Sequence, residues 1–118
     1  DAARDAARRL ADATGATVAV TGAVDYITDY RRLIGIANGD AMLTRVTGTG
    51  CSATALIGAF LGAGLAPYDA SAVGLAMISI AAELALSHAS GPGSFAVALI
   101  DALATIDDGI VATRVHFR

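Results

Sequence analysis

Lysine is absent from this sequence and so is tryptophan; all eight cationic residues among the 118 are arginines. Any phosphate bound here must therefore be held by Arg, by backbone N–H groups or through a metal, and the lysine of the common phosphate loop is excluded. Cysteine is limited to Cys51, which rules out an internal disulfide, fits a reducing compartment and leaves a lone thiol to explain. Charge is scarce in the middle of the chain, where Asp69 and Glu83 are the only charged side chains from Val46 to Ile100. Such a segment cannot face water on most sides; it must be covered by a bilayer, by another subunit or by a part of the protein outside this chain. The remaining composition, 55% hydrophobic with a net charge of -3, excludes a disordered segment and a basic tail for nucleic acid. It suits one modest domain or part of one, burying roughly 65% of its unfolded surface. The chain starts without Met, inside a helical pattern and with no signal peptide, and so reads as a fragment or processed piece.

Residues 2–14 read as a helix with a charged outer side, stopped by Gly15. Thr17–Val20 is a short unalternating apolar run, expected to be a strand buried on both faces. Asp25–Asp29 and Arg32–Ala37 alternate as strands, with Arg31 and Arg32 at a solvated tip. Asn38-Gly39 predicts a tight type I′ hairpin with a returning strand at about 42–46. After Gly50 the period becomes helical. Gly58 and Gly62, four residues apart, predict a close approach of a second backbone. A second helix is expected from Asp69 as its N-cap, and a third follows Gly91-Pro92-Gly93-Ser94. Asp107 and Asp108 are expected to end that helix, and the tail, 110–117, to form a closing strand. A helix leading into a buried strand indicates an α/β chain.

The uncharged run 51–66 raises a membrane hairpin, but each apolar stretch is shorter than the roughly 20 residues of a span. Ser79, Glu83 and Ser87 moreover draw a polar stripe at four-residue spacing along the second helix. No membrane role is expected.

Thr47-Gly48-Thr49-Gly50-Cys51 reads as a turn from a strand into a helix. Glycines there permit positive φ and expose N–H groups, and the helix N-terminus adds its positive dipole end, so Gly48, Thr49, Gly50 and Cys51 are expected to form an anion hole. The simpler reading is a glycine turn with Thr49 as helix cap. Cys51 at that place suits nucleophilic or base chemistry; the alternative is a small, buried, inert side chain. Thr21-Gly22 stands in a comparable place after the first strand. His88 and His116 have no ligand-like spacing to each other or to Cys51, so no metal site is expected from these residues.

As a group, these segments resemble a known family. Val46-Thr47-Gly48-Thr49-Gly50-Cys51-Ser52-Ala53-Thr54-Ala55-Leu56, preceded by Val20-Thr21-Gly22-Ala23-Val24-Asp25-Tyr26-Ile27 and Asn38-Gly39 and followed by Gly91-Pro92-Gly93-Ser94-Phe95, resembles the C-terminal half of hydroxyethylthiazole kinases. The resemblance covers nearly the whole chain as a single partial domain. It implies a ribokinase-like α/β layered sheet flanked by helices, a cytoplasmic homotrimer with sites at subunit interfaces, and an N-terminal half outside this chain. The implied reaction moves the ATP γ-phosphoryl to the hydroxyl of 4-methyl-5-(2-hydroxyethyl)thiazole, the thiazole salvage step of thiamine synthesis, with Mg2+ as the expected metal. By the same resemblance Thr21 contacts ATP, Gly48 contacts the thiazole, and Cys51 stands where related kinases commonly place an aspartate base. A thiol is a poorer base than a placed carboxylate, so catalysis would rest on orientation and electrostatic stabilisation. Two other functions keep the fold: a nucleotide-dependent hydrate dehydratase, for which an aspartate would be expected at Cys51, and a non-catalytic nucleotide-binding or assembly module.

Overall fold

A computed structural model describes residues 1–118, and the elements follow local rules closely. Helix α1 (Ala2–Thr14) is capped by the Asp1 carboxylate, which accepts the Ala3 N–H at 2.9 Å, and ended by Gly15 at φ +71°. Its inner side is Ala7 and Ala11, small enough to lie close against the sheet. Strands β1 (Val18–Val20), β2 (Asp25–Thr28) and β3 (Leu33–Ile36) form an antiparallel sheet in the order β1-β2-β3. Val20 pairs with Tyr26, and Asp25 with Ile36. The β2–β3 turn is held by Asp29, whose carboxylate accepts the Arg31 and Arg32 N–H groups and pairs with the Arg32 guanidinium at 2.8 Å. Arg32 also lies over the Tyr68 ring, 4.0 Å from its centre.

Three helices complete the packing: α2 (Thr49–Gly62), α3 (Pro67–Leu86) and α4 (Pro92–Thr105); a short α5 (Asp108–Arg114) follows. Helix α3 is the core, with twelve of its residues buried, and it packs on β2, β3, α2, α4 and α5. Ile27, Ile36, Leu75, Ile80 and Phe95 are the largest apolar side chains closed off from solvent. This α3 has the length and apolarity to cross a membrane, yet most of it is buried within the chain. On the outer side, Leu61, Val97 and Ile100 remain exposed, the last at 68%.

Several expectations are corrected. The first strand is not buried on both faces: Ala19 is exposed and β1 is an edge strand. Asn38-Gly39 makes no hairpin. Gly39 takes φ +106°, and Asp40 then caps a 3₁₀ turn (Ala41–Arg45) by accepting the Met42 N–H, so no strand returns at 42–46. The outer edge of β3 is covered by the tail instead: Gly35 and Arg118 exchange backbone hydrogen bonds of 3.1 and 2.8 Å, and Phe117 bridges Ile36. Most of the expected closing strand is α5, which Asp107 starts by accepting the Ile110 N–H rather than ending α4. Helix α3 begins at Pro67 with Ala66 as N-cap, which puts Asp69 inside the first turn. Gly58 and Gly62 face open space; the close approach falls at Gly74, where a Cβ would lie 2.7 Å from Cγ1 of Ile57.

Candidate active site

Strands β1 and β3 run in the same direction, both antiparallel to β2, so their carboxyl ends reach one edge of the sheet together. There the chain leaves β1 through Thr21-Gly22 and β3 through Asn38-Gly39, and a cleft of about 620 Å³ opens between these turns and the first turn of α2. Ligands of α/β proteins commonly bind at such carboxyl ends. The cleft is lined by Thr21, Gly22 and Asp25 around the first turn, by Asp40, Thr44, Thr49 and Gly50 around the 3₁₀ turn and the start of α2, and by Leu75, Ile78 and Ser79 of α3.

The glycine turn departs from the expected form in two respects. It joins the 3₁₀ turn to α2, not a strand to a helix. Positive φ occurs at Gly48, the N-cap at +91°, and not at Gly50, which is helical with open space at its Cβ position. Gly48 has no side chain to cap the helix, and the Thr49 hydroxyl is turned away to donate to the Leu43 carbonyl at 2.9 Å. Thr49 is therefore not the cap. Ser52 is the first N–H to find a helix carbonyl, that of Gly48 at 2.9 Å, leaving the N–H groups of Thr49, Gly50 and Cys51 without intrahelical acceptors. These free donors lie at the positive end of a 14-residue helix, an arrangement that favours negative charge nearby.

Of the expected site residues, the cleft brings together Thr21, Thr49 and Gly50, while Gly48 and Cys51 sit just outside its lining. Cys51 is exposed on the first turn of α2, which removes the reading of a buried, inert thiol.

The sequence reading missed Asp25, Asn38, Asp40 and Ser79. Asp25 is buried at the start of β2, where Oδ1 accepts the Gly22 N–H at 3.0 Å and Oδ2 accepts the Ser79 hydroxyl at 3.2 Å. Burial pushes its carboxyl above the ordinary range, against the lowering effect of those two hydrogen bonds. Asn38, also buried, donates to Glu83 at 2.9 Å and to the Arg114 carbonyl at 2.8 Å, and accepts the His116 N–H at 2.7 Å. The polar stripe on α3 is thus the side on which the two turns are fastened, Ser79 to one and Glu83 to the other. One signal for Asp25 was available: a carboxylate three residues after a glycine turn, with a lone serine in an otherwise apolar helix able to meet it. The carboxylates do not gather into a metal centre, since no three His, Cys, Asp or Glu side chains converge.

Fold and site together define an α/β chain whose glycine-lined cleft offers unpaired backbone donors to an anion. The model of the Hydroxyethylthiazole kinase family matches residues 1–109, and the chain belongs to that family. It is 56% identical over 110 residues to a hydroxyethylthiazole kinase of Granulibacter bethesdensis, an alignment covering 93% of this chain and 40% of that protein. A hydroxyethylthiazole kinase of Cereibacter sphaeroides is 53% identical over 102 residues, covering 86% and 38%. A solved hydroxyethylthiazole kinase structure from Pyrococcus horikoshii OT3 superimposes with a TM-score of 0.94 at 44% identity, covering 99% of this chain and 46% of that one. The chain spans about two fifths of the length of the curated relatives it matches. The expected α/β class, a small sheet flanked by helices, is the fold found.

Proposed function

We propose that this chain is the C-terminal half of a kinase that transfers the γ-phosphoryl of ATP to the hydroxyl of hydroxyethylthiazole, in thiazole salvage for thiamine. The observation that carries the reading is the cleft itself, which sets Thr21 on one side and the free N–H groups of Thr49 and Gly50 on the other. In this reading Thr21 contacts ATP. The backbone donors of residues 49–51 hold the charge that develops on the transferred phosphoryl group, and Gly48 borders the thiazole. Cys51, exposed beside that end, either takes the hydroxyl proton or completes the anion hole. It also stands against the hydrate dehydratase, which calls for an aspartate there.

Magnesium is the metal implied by the resemblance, and the donors of this chain do not form a site for it. Both Asp25 oxygens already accept hydrogen bonds, and Asp40 caps the 3₁₀ turn. Mg2+ takes one or two carboxylates together with substrate phosphates, and in this reading the N-terminal half supplies its protein ligands. That half and neighbouring subunits of a homotrimer are the proposed cover for Leu61, Val97 and Ile100. A cytoplasmic setting suits the exposed free thiol of Cys51.

The test compares the 118-residue chain with the same chain joined to the N-terminal part of the Granulibacter bethesdensis relative, following ADP release with the thiazole alcohol as acceptor. The joined protein is expected to turn over and the chain alone to be inactive, because one side of a two-sided site cannot place both reactants. A joined protein that binds ATP but phosphorylates no thiazole alcohol would leave the binding-module reading in its place.

A further inference from the structure

Asp25 poses a chemical puzzle, because a carboxylate lining a cleft for a phosphate-bearing ligand ought to repel it. Its surroundings resolve the puzzle. The side chain is 5% exposed, and each oxygen is engaged by a donor from a different part of the fold, the Gly22 N–H and the Ser79 hydroxyl. Each oxygen is thus held toward the fold and away from solvent. What the carboxylate does is tie the turn that carries Thr21 to helix α3. Ser79 has a second neighbour: a Cβ placed on Gly39 would lie 3.4 Å from Cβ of Ser79 and 3.5 Å from its Oγ, so the Asn38-Gly39 turn rests on the same serine. One helical turn further along α3, Glu83 accepts from Asn38.

We infer that Asp25 and Ser79 form a positioning pair, which sets the Thr21-Gly22 turn against the Gly39 side of the cleft so that the cleft fits the nucleotide triphosphate. The inference rests on the kinase reading above and adds to it residues that act through Thr21 and not on the substrate. A positioning role requires hydrogen-bonding capacity at residue 25, not negative charge. Asparagine supplies that capacity: its Oδ1 can accept from Gly22 and its Nδ2 can donate to the Ser79 oxygen. The raised carboxyl of Asp25 agrees with this, since burial already disfavours its charged form.

The experiment uses the joined protein and its D25N, D25A and S79A variants. Binding of a non-hydrolysable ATP analogue is measured by calorimetry, the Gly22 amide by hydrogen exchange, and steady-state kinetics are followed for both substrates. Turnover by the parent tests the kinase reading; analogue binding and exchange test the pair whether or not thiazole is the acceptor. D25A is expected to lose Gly22 protection and weaken the analogue about tenfold, the effect of losing both hydrogen bonds of residue 25 at the ordinary strength of neutral ones. S79A is expected to weaken it about threefold, in keeping with a neutral donor. KM for ATP should rise in step while KM for the thiazole stays unchanged, and D25N should stay within about twofold of the parent. Two results overturn the inference: D25N as weak as D25A with its Gly22 amide still protected, which would mean that the charge itself acts, or S79A binding the analogue as the parent does. Both variants keep the side-chain volume nearly unchanged, so the decision stands even where D25A fails to fold.

Discussion

Helices α2 and α3 are built from much the same small apolar residues, yet α3 buries twelve residues and α2 only Ala53. The difference does not come from apolarity. Helix α3 carries its polar groups mid-helix, where Ser79 and Glu83 meet Asp25 and Asn38, and it admits α2 closely at Gly74. Helix α2 collects its polar groups at its N-terminal end, beside the cleft; further along, Ile57 packs against α3 at Gly74 while Leu61 stays exposed. One helix is the floor of the fold; the other brings its donor end to the cleft. Composition alone would have ranked them equal.

The comparison breaks most sharply at Gly74. A valine there must displace the Ile57 backbone as well as its side chain, and should cost about 3 kcal/mol in denaturant unfolding. Gly58→Ala, facing open space on α2, should leave the isolated chain unchanged or add up to about 1 kcal/mol. In the joined protein the same alanine should become destabilising if the absent part packs there, so equal behaviour in both proteins would show that side of α2 to be uncovered.

The next largest effect separates the two glycines of the turn. Gly48→Ala forces a side chain into left-handed backbone and should cost roughly 1–2 kcal/mol of stability. Gly50→Ala has no such strain and room for its methyl, so the melting temperature should hold while kcat/KM of the joined protein falls about tenfold or more if, as proposed, the N–H groups there meet the phosphoryl oxygens. Near-normal kinetics would withdraw Gly50 from the anion hole.

Cys51→Ala should slow turnover less than about tenfold with ATP affinity preserved, since backbone donors are untouched. Because the position is exposed, Cys51→Asp should shift stability by no more than about 0.5 kcal/mol. It should support proton removal at least as well as the thiol if residue 51 faces the acceptor hydroxyl; a rate no better than that of Cys51→Ala would assign the cysteine to lining alone.

The smallest effect is a pH dependence. Burial raises the Asp25 carboxyl in the folded state, so the folded chain holds that proton more tightly than the unfolded chain. Its contribution therefore falls as pH rises from the usual carboxylate range through the folded value, and the full penalty is reached above that value. Asp25→Asn escapes the penalty, and its melting temperature should gain on the parent as pH rises and match it most closely in acid. Asp29 works in the opposite direction: the Arg32 hydrogen bond lowers its carboxyl, giving stability that is present above the usual range and lost as pH falls through the folded value. A difference between parent and Asp25→Asn that stays flat across pH would mean that Asp25 titrates alike in both states.

The sequence disclosed what depends on neighbours in the chain. Asp1 and Gly15 bound α1, the alternation in 25–28 and 33–36 gives β2 and β3, and Thr21, Thr49 and Gly50 mark the cleft through local turn chemistry. It concealed what depends on distant partners. Asn38-Gly39 has the composition of a hairpin, but the Asn38 side chain is claimed by Glu83 and by a backbone 78 positions later, and Asp40 then starts a helical turn. Glycine spacing named Gly58 and Gly62 as contact points because spacing shows that residues share a side without showing what that side meets. Asp25 and Ser79, 54 positions apart, were invisible for the same reason.

The tail laid along β3 has a consequence for the time at which the sheet can be finished. Residues 116–118 seal an edge made from residues 35–37, and four helices are synthesised between the two. During ribosomal synthesis that strand emerges before the stretch that covers it and stays unsealed while the helices between them are being made, open to pairing with another nascent copy. Closing so long a loop is slow compared with helix formation, so residues 116–118 govern when this edge of the growing chain ceases to be adhesive.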